Sequence, residues 1–392
     1  MKIAIVKERR PFERRVAASP DTVKQLKGQG LDVVVEAGAG QGAFFIDAAY
    51  EAAGATVVAD EAAALTEADI VLKVQRPLPE ELPLFKRGAV LIGLLAPLEH
   101  RDDVQSYAEA GISAIAMELV PRITRAQTMD VLSSQANLAG YKAAVDAAAA
   151  FGRAMPMMMT AAGTIKAARV LVMGAGVAGL QAIATSRRLG GVVFATDVRV
   201  AAKEQVESLG ASFLMVDEEA MKSAETAGGY AREMGEDFQR RQRQLITDAL
   251  RRIDIVICTA LIPGRRAPVL LTGEMLGSLA PGSVVADLAV ESGGNVEGSQ
   301  PEETIVTPGG VRIIGYANAP AHIPVDASQL YARNLSAFLA LLIDKEKQLK
   351  IDLADEIIKA SLLTMDGAVV NPALAPPAPV AEPAAPAAPA AS

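Results

Sequence analysis

Short apolar runs alternate with amphipathic stretches along the first part of the chain. The apolar runs predict strands over residues 2–6, 31–36, 56–58, 69–74, 88–95 and 111–116. The amphipathic stretches predict helices over residues 21–29, 48–53 and 61–67. Residues 9–20 form a polar loop bounded by proline, and the glycines Gly38, Gly40 and Gly42 predict a turn. Strands that alternate with helices are typical of a doubly wound parallel sheet.

The second half of the chain repeats this plan. Its apolar runs predict strands over residues 170–173, 192–195, 254–263, 282–289 and 311–317. A complete phosphate-binding turn occurs in this half alone, which favours a partner or substrate role for the first half. We therefore predict an α/β fold with two doubly wound parallel-sheet (Rossmann-like) domains and a cleft between them.

Two long helical patterns lie outside the sheets. Residues 126–151 are rich in alanine and leucine and predict one connecting helix, which Thr124 and Gln127 would begin as a capping box. Residues 328–358 predict another helix, and since it has no sheet of its own to cover, we expect it to return to the first domain. The predicted domains are residues 1–132 with 323–372, which is discontinuous, and residues 133–322. The Ala/Pro-rich residues 373–392 cannot bury a core and predict a disordered tail.

Three glycines follow the strand at residues 170–173 with GxGxxG spacing. Gly174 would make the turn, Gly176 would let a pyrophosphate approach backbone N–H groups, and Gly179 would let the next helix pack close to the strand. Asp197 follows the second strand, where a carboxylate accepts hydrogen bonds from an adenosine ribose and would repel a 2′-phosphate. This order of elements predicts a dinucleotide site and favours NAD over NADP.

A stripe of polar side chains marks the start of the connecting helix. Its members would share or flank one helical face and are Arg122, Gln127, Asp130, Ser133, Ser134 and Asn137. Such a stripe is usually solvent-facing, but this one lies at the junction of two α/β domains, where ligand crevices form. The residues alone leave both interpretations open.

Residues 218–252 do not fit a minimal dinucleotide fold. They carry charged runs, a break at Gly228, Gly229 and Tyr230, and a helical segment rich in arginine and glutamine. A solvated surface insertion and a mobile lid that closes over a ligand both fit this pattern.

Composition narrows the function classes. A net charge of −8 and a pI near 5.1 argue against nucleic acid as a partner, because phosphate binding needs a basic surface. No window has the roughly 18 uncharged residues of a membrane span, and no signal peptide precedes the first strand. The single cysteine, Cys258, excludes an internal disulfide and fits a reducing cytoplasm. The two histidines, His100 and His322, are too few for a zinc site, so we expect no metal.

Three motifs carry a resemblance to a known family. They are RITRAQTMDVLSSQANLAGYKA at 122–143, GAGVAGLQAIATSRRLG at 174–190 followed by TDVR, and GGYAREMG at 228–235. With them, the chain up to its Ala/Pro tail resembles the NAD(H)-binding alpha-1 subunit (domain I) of proton-translocating nicotinamide nucleotide transhydrogenase. The resemblance implies a homodimer that binds NAD(H) in the cleft and exchanges hydride with NADP(H) on a separate component. It also implies a membrane component that translocates protons, and hence a cytoplasmic protein held peripherally at the inner membrane by its partners.

The resemblance also implies roles for individual residues. Some would surround the nicotinamide and its ribose, and Tyr230 and Met234 would belong to a loop that closes over the cofactor. The implied catalytic residues are Arg122, Gln127, Asp130, Ser133 and Tyr230. The implied cofactor-binding residues are Gly174, Gly176, Val177, Ala178, Gly179, Asp197, Val198, Arg199, Met234, Thr259, Ala260 and Leu261.

Alanine dehydrogenase, which has the same architecture, is the alternative. Arg15 and Lys73 resemble its substrate-binding residues, and we leave open whether they serve as structural ion pairs or as cleft electrostatics. Its catalytic histidine would fall near Leu94 or Leu95, and its catalytic aspartate is replaced by Glu291. Oxidising an amino acid needs a proton acceptor at the substrate carbon, whereas hydride exchange between two nicotinamides needs none. The missing histidine favours transhydrogenase, and a non-catalytic nucleotide-binding subunit is the third hypothesis.

Overall fold

The computed structural model describes residues 1–216, 236–262, 264–344 and 346–374. Six parallel strands form its first sheet, namely β1 (Lys2–Ile5), β2 (Asp32–Glu36), β3 (Thr56–Val58), β4 (Ile70–Gln75), β5 (Val90–Leu94) and β6 (Ser113–Ala116). Their spatial order is β3-β2-β1-β4-β5-β6, and all five pairings are parallel. Strands buried on both faces are apolar without alternation, which explains the continuous apolar runs.

The second sheet follows a short hairpin of β7 (Met158–Thr160) and β8 (Gly163–Ile165). Its strands are β9 (Arg169–Met173), β10 (Val192–Thr196), β11 (Ser212–Phe213), β12 (Ile255–Cys258), β13 (Val284–Asp287), β14 (Thr304–Val306) and β15 (Arg312–Gly315). The order is β11-β10-β9-β12-β13-β15-β14, and only the edge strand β14 is antiparallel. Two doubly wound, mainly parallel sheets are thus present, as the sequence predicts.

Helices cover both faces of each sheet. They are α1 (Pro20–Gly28), α2 (Asp47–Ala52), α3 (Glu61–Leu65), α4 (Arg101–Glu109), α5 (Val131–Ala150), α6 (Val177–Arg188), α7 (Ala202–Ser208), α8 (Glu236–Leu250), α9 (Gly273–Leu276), α10 (Pro324–Leu342) and α11 (Glu356–Ser361). A final small hairpin pairs β16 (Thr364–Met365) with β17 (Ala368–Val369). Each sheet therefore has an apolar core on either side.

The connecting helix begins later than the capping-box spacing predicts. Thr124–Met129 is a 3-10 helix, and α5 begins at Val131 with Asp130 as its N-cap. The Asp130 carboxylate accepts the Ser133 N–H at 2.9 Å, so it supplies the cap that the sequence analysis assigned to Thr124. The prediction of one helix over residues 126–151 is wrong in its start, and the polar stripe is divided between two elements.

The predicted helix over residues 328–358 is in fact two helices. α10 ends at Leu342, and Ile343 then pairs with Leu349 in an isolated antiparallel bridge before α11 begins. The turn between them places Lys347 at a φ of 61°, which an α-helix cannot contain. Pattern alone could not separate the helices, because the connecting residues are also partly buried.

The C-terminal helices return to the first sheet. Tyr331, Leu335 and Phe338 of α10 are fully buried in the same core as Ile3 and Ile5 of β1. The expectation that this segment joins the first domain agrees with that packing. The boundaries themselves, at 132/133 and 322/323, stay predictions.

Candidate functional site

The glycine turn after β9 has the geometry that its spacing predicts. Gly174 adopts a φ of 102°, a left-handed conformation that favours glycine. A Cβ on Gly179 would lie 1.8 Å from the Gly174 carbonyl oxygen, so only glycine permits this contact between α6 and the turn. A Cβ on Gly176 would meet nothing within 4 Å, and this N-cap residue has no side-chain cap. The open approach and the unpaired N–H groups at the start of α6 suit a pyrophosphate.

Asp197 lies directly after β10, beside this turn. Its Oδ2 accepts the Ala175 N–H at 2.7 Å, and Arg199 donates from Nε to Oδ1 and from Nη2 to Oδ2, both at 2.9 Å. Burial alone would raise the pKa of Asp197, but the hydrogen bonds from Arg199 and Ala175 outweigh it and keep the pKa below its ordinary value. Asp197 is therefore an ionised acceptor. Arg199 balances part of its charge, which the sequence analysis did not foresee.

The loop after β12 adjoins the glycine turn. Thr259 Oγ1 donates to the Gly174 carbonyl oxygen at 2.9 Å, and Ala260 N donates to Asn295 Oδ1 at 3.0 Å. The fully buried Asn295 returns a bond from Nδ2 to the Ala260 carbonyl at 2.9 Å. Asn295 is a supporting residue that sequence reasoning missed, because its partners belong to a loop distant in sequence and no spacing links them.

The remaining cofactor-binding candidates lie along the same edge of the sheet. Val177 begins α6, Val198 follows β10 and Leu261 follows β12, and their side chains are all exposed. Ala178 lies in the first turn of α6 and is half-buried. Exposed apolar side chains beside a few convergent polar groups are typical of a ligand pocket. The structure thus brings the predicted residues of this edge together.

The start of α5 forms a second polar region, the corner at residues 122–133. Ser133 donates from N to Asp130 Oδ1 at 2.9 Å and from Oγ to Asp130 Oδ2 at 2.6 Å. Arg122 and Gln127 are exposed, and their side chains have no hydrogen-bond partner within the part of the chain that the structure describes. A pre-ordered carboxylate beside two unpaired polar side chains is available to a ligand.

Helix α5 connects this corner to the helix that follows the glycine turn. Asn137 Nδ2 donates to Gln181 Oε1 at 3.2 Å, and a Cβ on Gly140 would lie 1.9 Å from the Ala178 carbonyl oxygen. Asp130 and Ser133 lie one to three turns before these contacts along α5. The polar corner and the glycine turn therefore belong to two helices in direct contact.

Loops from both sheets also meet across the cleft. Glu13 Oε2 accepts a hydrogen bond from Asn318 Nδ2, which follows β15, at 2.9 Å, and another from Arg15 Nη2 at 2.7 Å. Burial would raise the pKa of Glu13, but the Arg15 guanidinium lowers it to about 2. Arg15 Nη1 also donates to Gln135 Oε1 of α5 at 2.8 Å. This buried network joins the first sheet, α5 and the second sheet.

Lys73 is likewise held in buried ion pairs. Its Nζ lies 2.8 Å from Glu81 Oε1 and 3.9 Å from Glu8 Oε2, and all three side chains are almost fully buried. Burial raises the pKa of Glu8 to about 7 although Lys73 lowers it. Of the two roles left open for Arg15 and Lys73, the structure favours the structural ion pairs.

The region expected for an amino-acid dehydrogenase histidine is apolar here. Leu95 is fully buried, and its N–H donates to Glu118 Oε1 at 2.8 Å. Glu291 follows β13, where burial, assisted by the charge of Glu13, raises its pKa to about 7. A carboxyl group that titrates near neutrality is suited to acid–base chemistry. Leu94 and Leu95 offer it no imidazole partner.

Several predictions concern residues outside those described. Tyr230, Met234 and most of the predicted insertion fall there, as do residues 375–392 of the tail. Within the described residues, no group of three or more His, Cys, Asp or Glu side chains could hold a metal ion. Across that same portion of the chain, no helix is both long and apolar enough to cross a membrane.

Comparison with known proteins gives consistent matches over almost the whole chain. The signature described as "Alanine dehydrogenase/PNT, N-terminal domain" matches residues 4–139, and that of the C-terminal domain matches residues 143–372. The chain is 57% identical over 380 residues to an NAD(P) transhydrogenase subunit alpha protein of Rhodospirillum rubrum, covering 95% of this chain and 99% of that protein. The crystal structure of transhydrogenase from Sinorhizobium meliloti superposes with a TM-score of 0.85 at 52% identity, over 94% of this chain and 100% of that one. Alanine dehydrogenase of Bacillus subtilis is 31% identical over 388 residues, covering 96% of this chain and 94% of that protein.

Proposed function

The chain belongs to the alanine dehydrogenase/PNT family, and from that premise we propose that it is the NAD(H)-binding subunit of a proton-translocating transhydrogenase. In this function it transfers hydride reversibly between its own NAD(H) and NADP(H) bound by a partner component, while a membrane component translocates protons. The near-full-length identity of 57% to a transhydrogenase alpha subunit, against 31% to alanine dehydrogenase, carries the proposal. Mixing the purified chain with the NADP(H)-binding component and following hydride exchange tests it.

The residues around the glycine turn fit a dinucleotide. The backbone at Gly176 is open, the first N–H groups of α6 are uncapped, and Asp197 is an ionised acceptor. When bound, the nicotinamide supplies the hydride chemistry, so the chain has to bind, orient and shield it. A 2′-phosphate at Asp197 would meet a carboxylate already paired with Arg199, and binding it would require that ion pair to open. NAD(H) is therefore favoured over NADP(H).

The corner at residues 122–133 is proposed to orient the nicotinamide end. Arg122 and Gln127 supply unpaired donors and acceptors, while Asp130 and Ser133 are already locked by their mutual hydrogen bonds. Hydride transfer needs two rings near contact with water excluded, which makes orientation the main task of the protein. Tyr230 and Met234 stay predictions for a loop that closes over the cofactor.

Alanine dehydrogenase activity is the alternative, and the pKa of Glu291 near 7 is the observation in its favour. Against it, Arg15 and Lys73 are engaged in buried ion pairs and are not available as free substrate-binding cations. The proton acceptor expected near Leu94 or Leu95 is also absent from the sequence.

A homodimer is part of the proposal. In the β7–β8 hairpin the exposed fraction is 64% for Met157, 41% for Met158 and 81% for Met159. Clustered apolar side chains on a projecting hairpin are typical of a protein interface. We expect Met159→Asp to shift the chain from dimer to monomer in sedimentation equilibrium, whereas Val306→Asp, an exposed change on β14, should leave the dimer intact. A dimer that survives both changes would contradict this placement.

We also propose that the chain is cytoplasmic and is held at the inner membrane by its partners. The subunit name of its relatives implies such partners. No helix in the described residues supplies a membrane anchor of its own.

Asp197→Asn should weaken NADH binding by about 1–3 kcal/mol, because the hydrogen bonds to a charged acceptor are lost. Isothermal titration calorimetry measures this. Glu36→Gln is a matched control, since Glu36 ends β2 in the first sheet, accepts Lys7 N at 2.8 Å and pairs with Arg9 in the same way. We expect the control to bind NADH normally. Wild-type chain that bound NADPH as tightly as NADH would exclude the proposed role of Asp197.

A further inference from the structure

Asn334 of α10 joins the two elements that meet at the polar corner. Its Nδ2 donates to the Thr128 carbonyl oxygen in the 3-10 helix at 2.7 Å, and its Oδ1 accepts from Ser134 Oγ of α5 at 2.8 Å. Asn334 is buried, with 8% of its surface exposed. Its two partners stand on either side of Asp130, the residue at which the 3-10 helix gives way to α5. One amide group thus fixes the width of this junction.

A second contact from the C-terminal segment holds the other end of the corner. Arg125 donates from Nη1 and Nη2 to the two carboxylate oxygens of Asp355 at 2.7 and 2.9 Å. Asp355 is itself the N-cap of α11 and accepts the Ile357 N–H at 2.8 Å. A bidentate pair with a fixed partner restrains orientation as well as distance.

The proposed nicotinamide-binding side chains lie between these two anchors. Gln127 directly precedes Thr128, and Ser133 directly precedes Ser134, so each is one residue from an Asn334 contact. The 3-10 helix has poorer intrinsic hydrogen-bond geometry than an α-helix, so its position depends on such outside contacts. The buried Ala126 and Met129 add apolar packing to the same core as α10.

We propose that Asn334 is a positioning residue for hydride transfer and that the Arg125–Asp355 pair assists it. This inference rests on the proposed function. The C-terminal segment, after crossing back from the second sheet, sets the placement of Gln127, Asp130 and Ser133. Asn334 acts through Thr128 and Ser134 and does not touch the nucleotide itself. Loss of this anchor should misplace the nicotinamide-binding side chains while the pyrophosphate contacts at Gly176 stay intact.

The test uses the full chain with the NADP(H)-binding component. Asn334→Ala should lower kcat for hydride exchange by about 10- to 100-fold, because errors of about 1 Å in placement have effects of that size. The Kd for NADH, measured by calorimetry on the chain alone, should change by less than about twofold, since the glycine turn is untouched. Because Asn334 acts partly through Ser134, adding Ser134→Ala to Asn334→Ala should produce little further loss.

Ser328→Ala is the matched control for lost stability. Ser328 is fully buried on the same helix, accepts Val16 N at 3.0 Å and donates to the Pro324 carbonyl at 2.6 Å. It should lower the melting temperature as Asn334→Ala does and leave kcat near the wild-type value. Wild-type kcat in Asn334→Ala, or an equal loss in Ser328→Ala, would overturn the proposal.

A second variant covers the case in which Asn334→Ala does not fold. Arg125→Met removes a largely exposed pair, with 48% of the Arg125 side chain accessible, and should fold normally. It should lower kcat by about threefold or more at an unchanged Kd for NADH, and a wild-type kcat would count against the proposal. Failure of the proposed function is distinguishable, because then the wild-type chain itself would exchange no hydride.

Discussion

The purified chain should reduce no NAD⁺ with alanine and oxidise no NADH with pyruvate and ammonium, yet exchange hydride as soon as the NADP(H)-binding component is added. Leucine stands where an amino-acid dehydrogenase needs a histidine, and Arg15 and Lys73 are engaged in buried ion pairs. Exchange between two nicotinamides requires neither an acid nor a base, so the partner should suffice without a membrane. Absorbance of NADH, with and without the partner, measures both reactions. The expected contrast is all or none.

Glu291 provides the sharpest control for this prediction. Burial and the Glu13 charge raise its pKa to about 7, so an enzyme that used Glu291 as a base would change rate across pH 6–8 as Glu291 ionises. Hydride exchange should instead give the same pH profile for the wild-type chain and for Glu291→Gln. Alanine-dependent NADH formation that falls on this substitution would establish the dehydrogenase alternative. Bound NADH with no exchange under any condition would favour the non-catalytic subunit.

Much of the fold was predictable because its determinants are local. The strands of both sheets are short β-branched runs, and their ends differ from the predicted ends by only a few residues. The three glycines could be assigned separate roles since each role depends on the backbone of the turn itself. Gly179 illustrates this, because its contact with the Gly174 carbonyl lies within the motif.

The errors arose where a distant contact decides between local alternatives. Thr124 and Asp130 both suit a helix N-cap, and packing of the 3-10 helix against α10 accompanies the choice of Asp130. The pairing of Arg199 with Asp197 was also missed, although the residues are close in sequence. A charge pattern does not reveal whether an arginine turns inward to a carboxylate or outward to solvent.

The supporting residues of the site could not be found from the sequence at all. Asn295 orders the loop after β12, and Asn334 joins the two elements of the polar corner, each through partners far away along the chain. Neither belongs to a spacing that has chemical meaning by itself. Long-range amide contacts of this kind become visible only when the fold brings the segments together.

Gln127→Asn should lower kcat for hydride exchange by about a hundredfold and leave NADH binding nearly unchanged. Gln127 is exposed and its side chain has no partner within the described residues, so shortening it should remove a ligand contact without disturbing the fold. A hundredfold loss corresponds to about 2.7 kcal/mol of transition-state stabilisation, which a misoriented nicotinamide can account for. Stopped-flow exchange with the partner component gives the rate, and calorimetry gives the affinity.

Gln105→Asn makes the same chemical change on the exposed surface of α4 and should exchange hydride at the wild-type rate. A loss of NADH affinity as large as the loss of rate would mean that Gln127 binds the ground state and transition state equally. Wild-type exchange in Gln127→Asn would place the nicotinamide away from the corner at residues 122–133. The glycine turn would then still bind the dinucleotide, because its contacts at Gly176 and Asp197 are independent of that corner. A selective fall in kcat is therefore the result that ties the start of α5 to the chemistry of the second sheet.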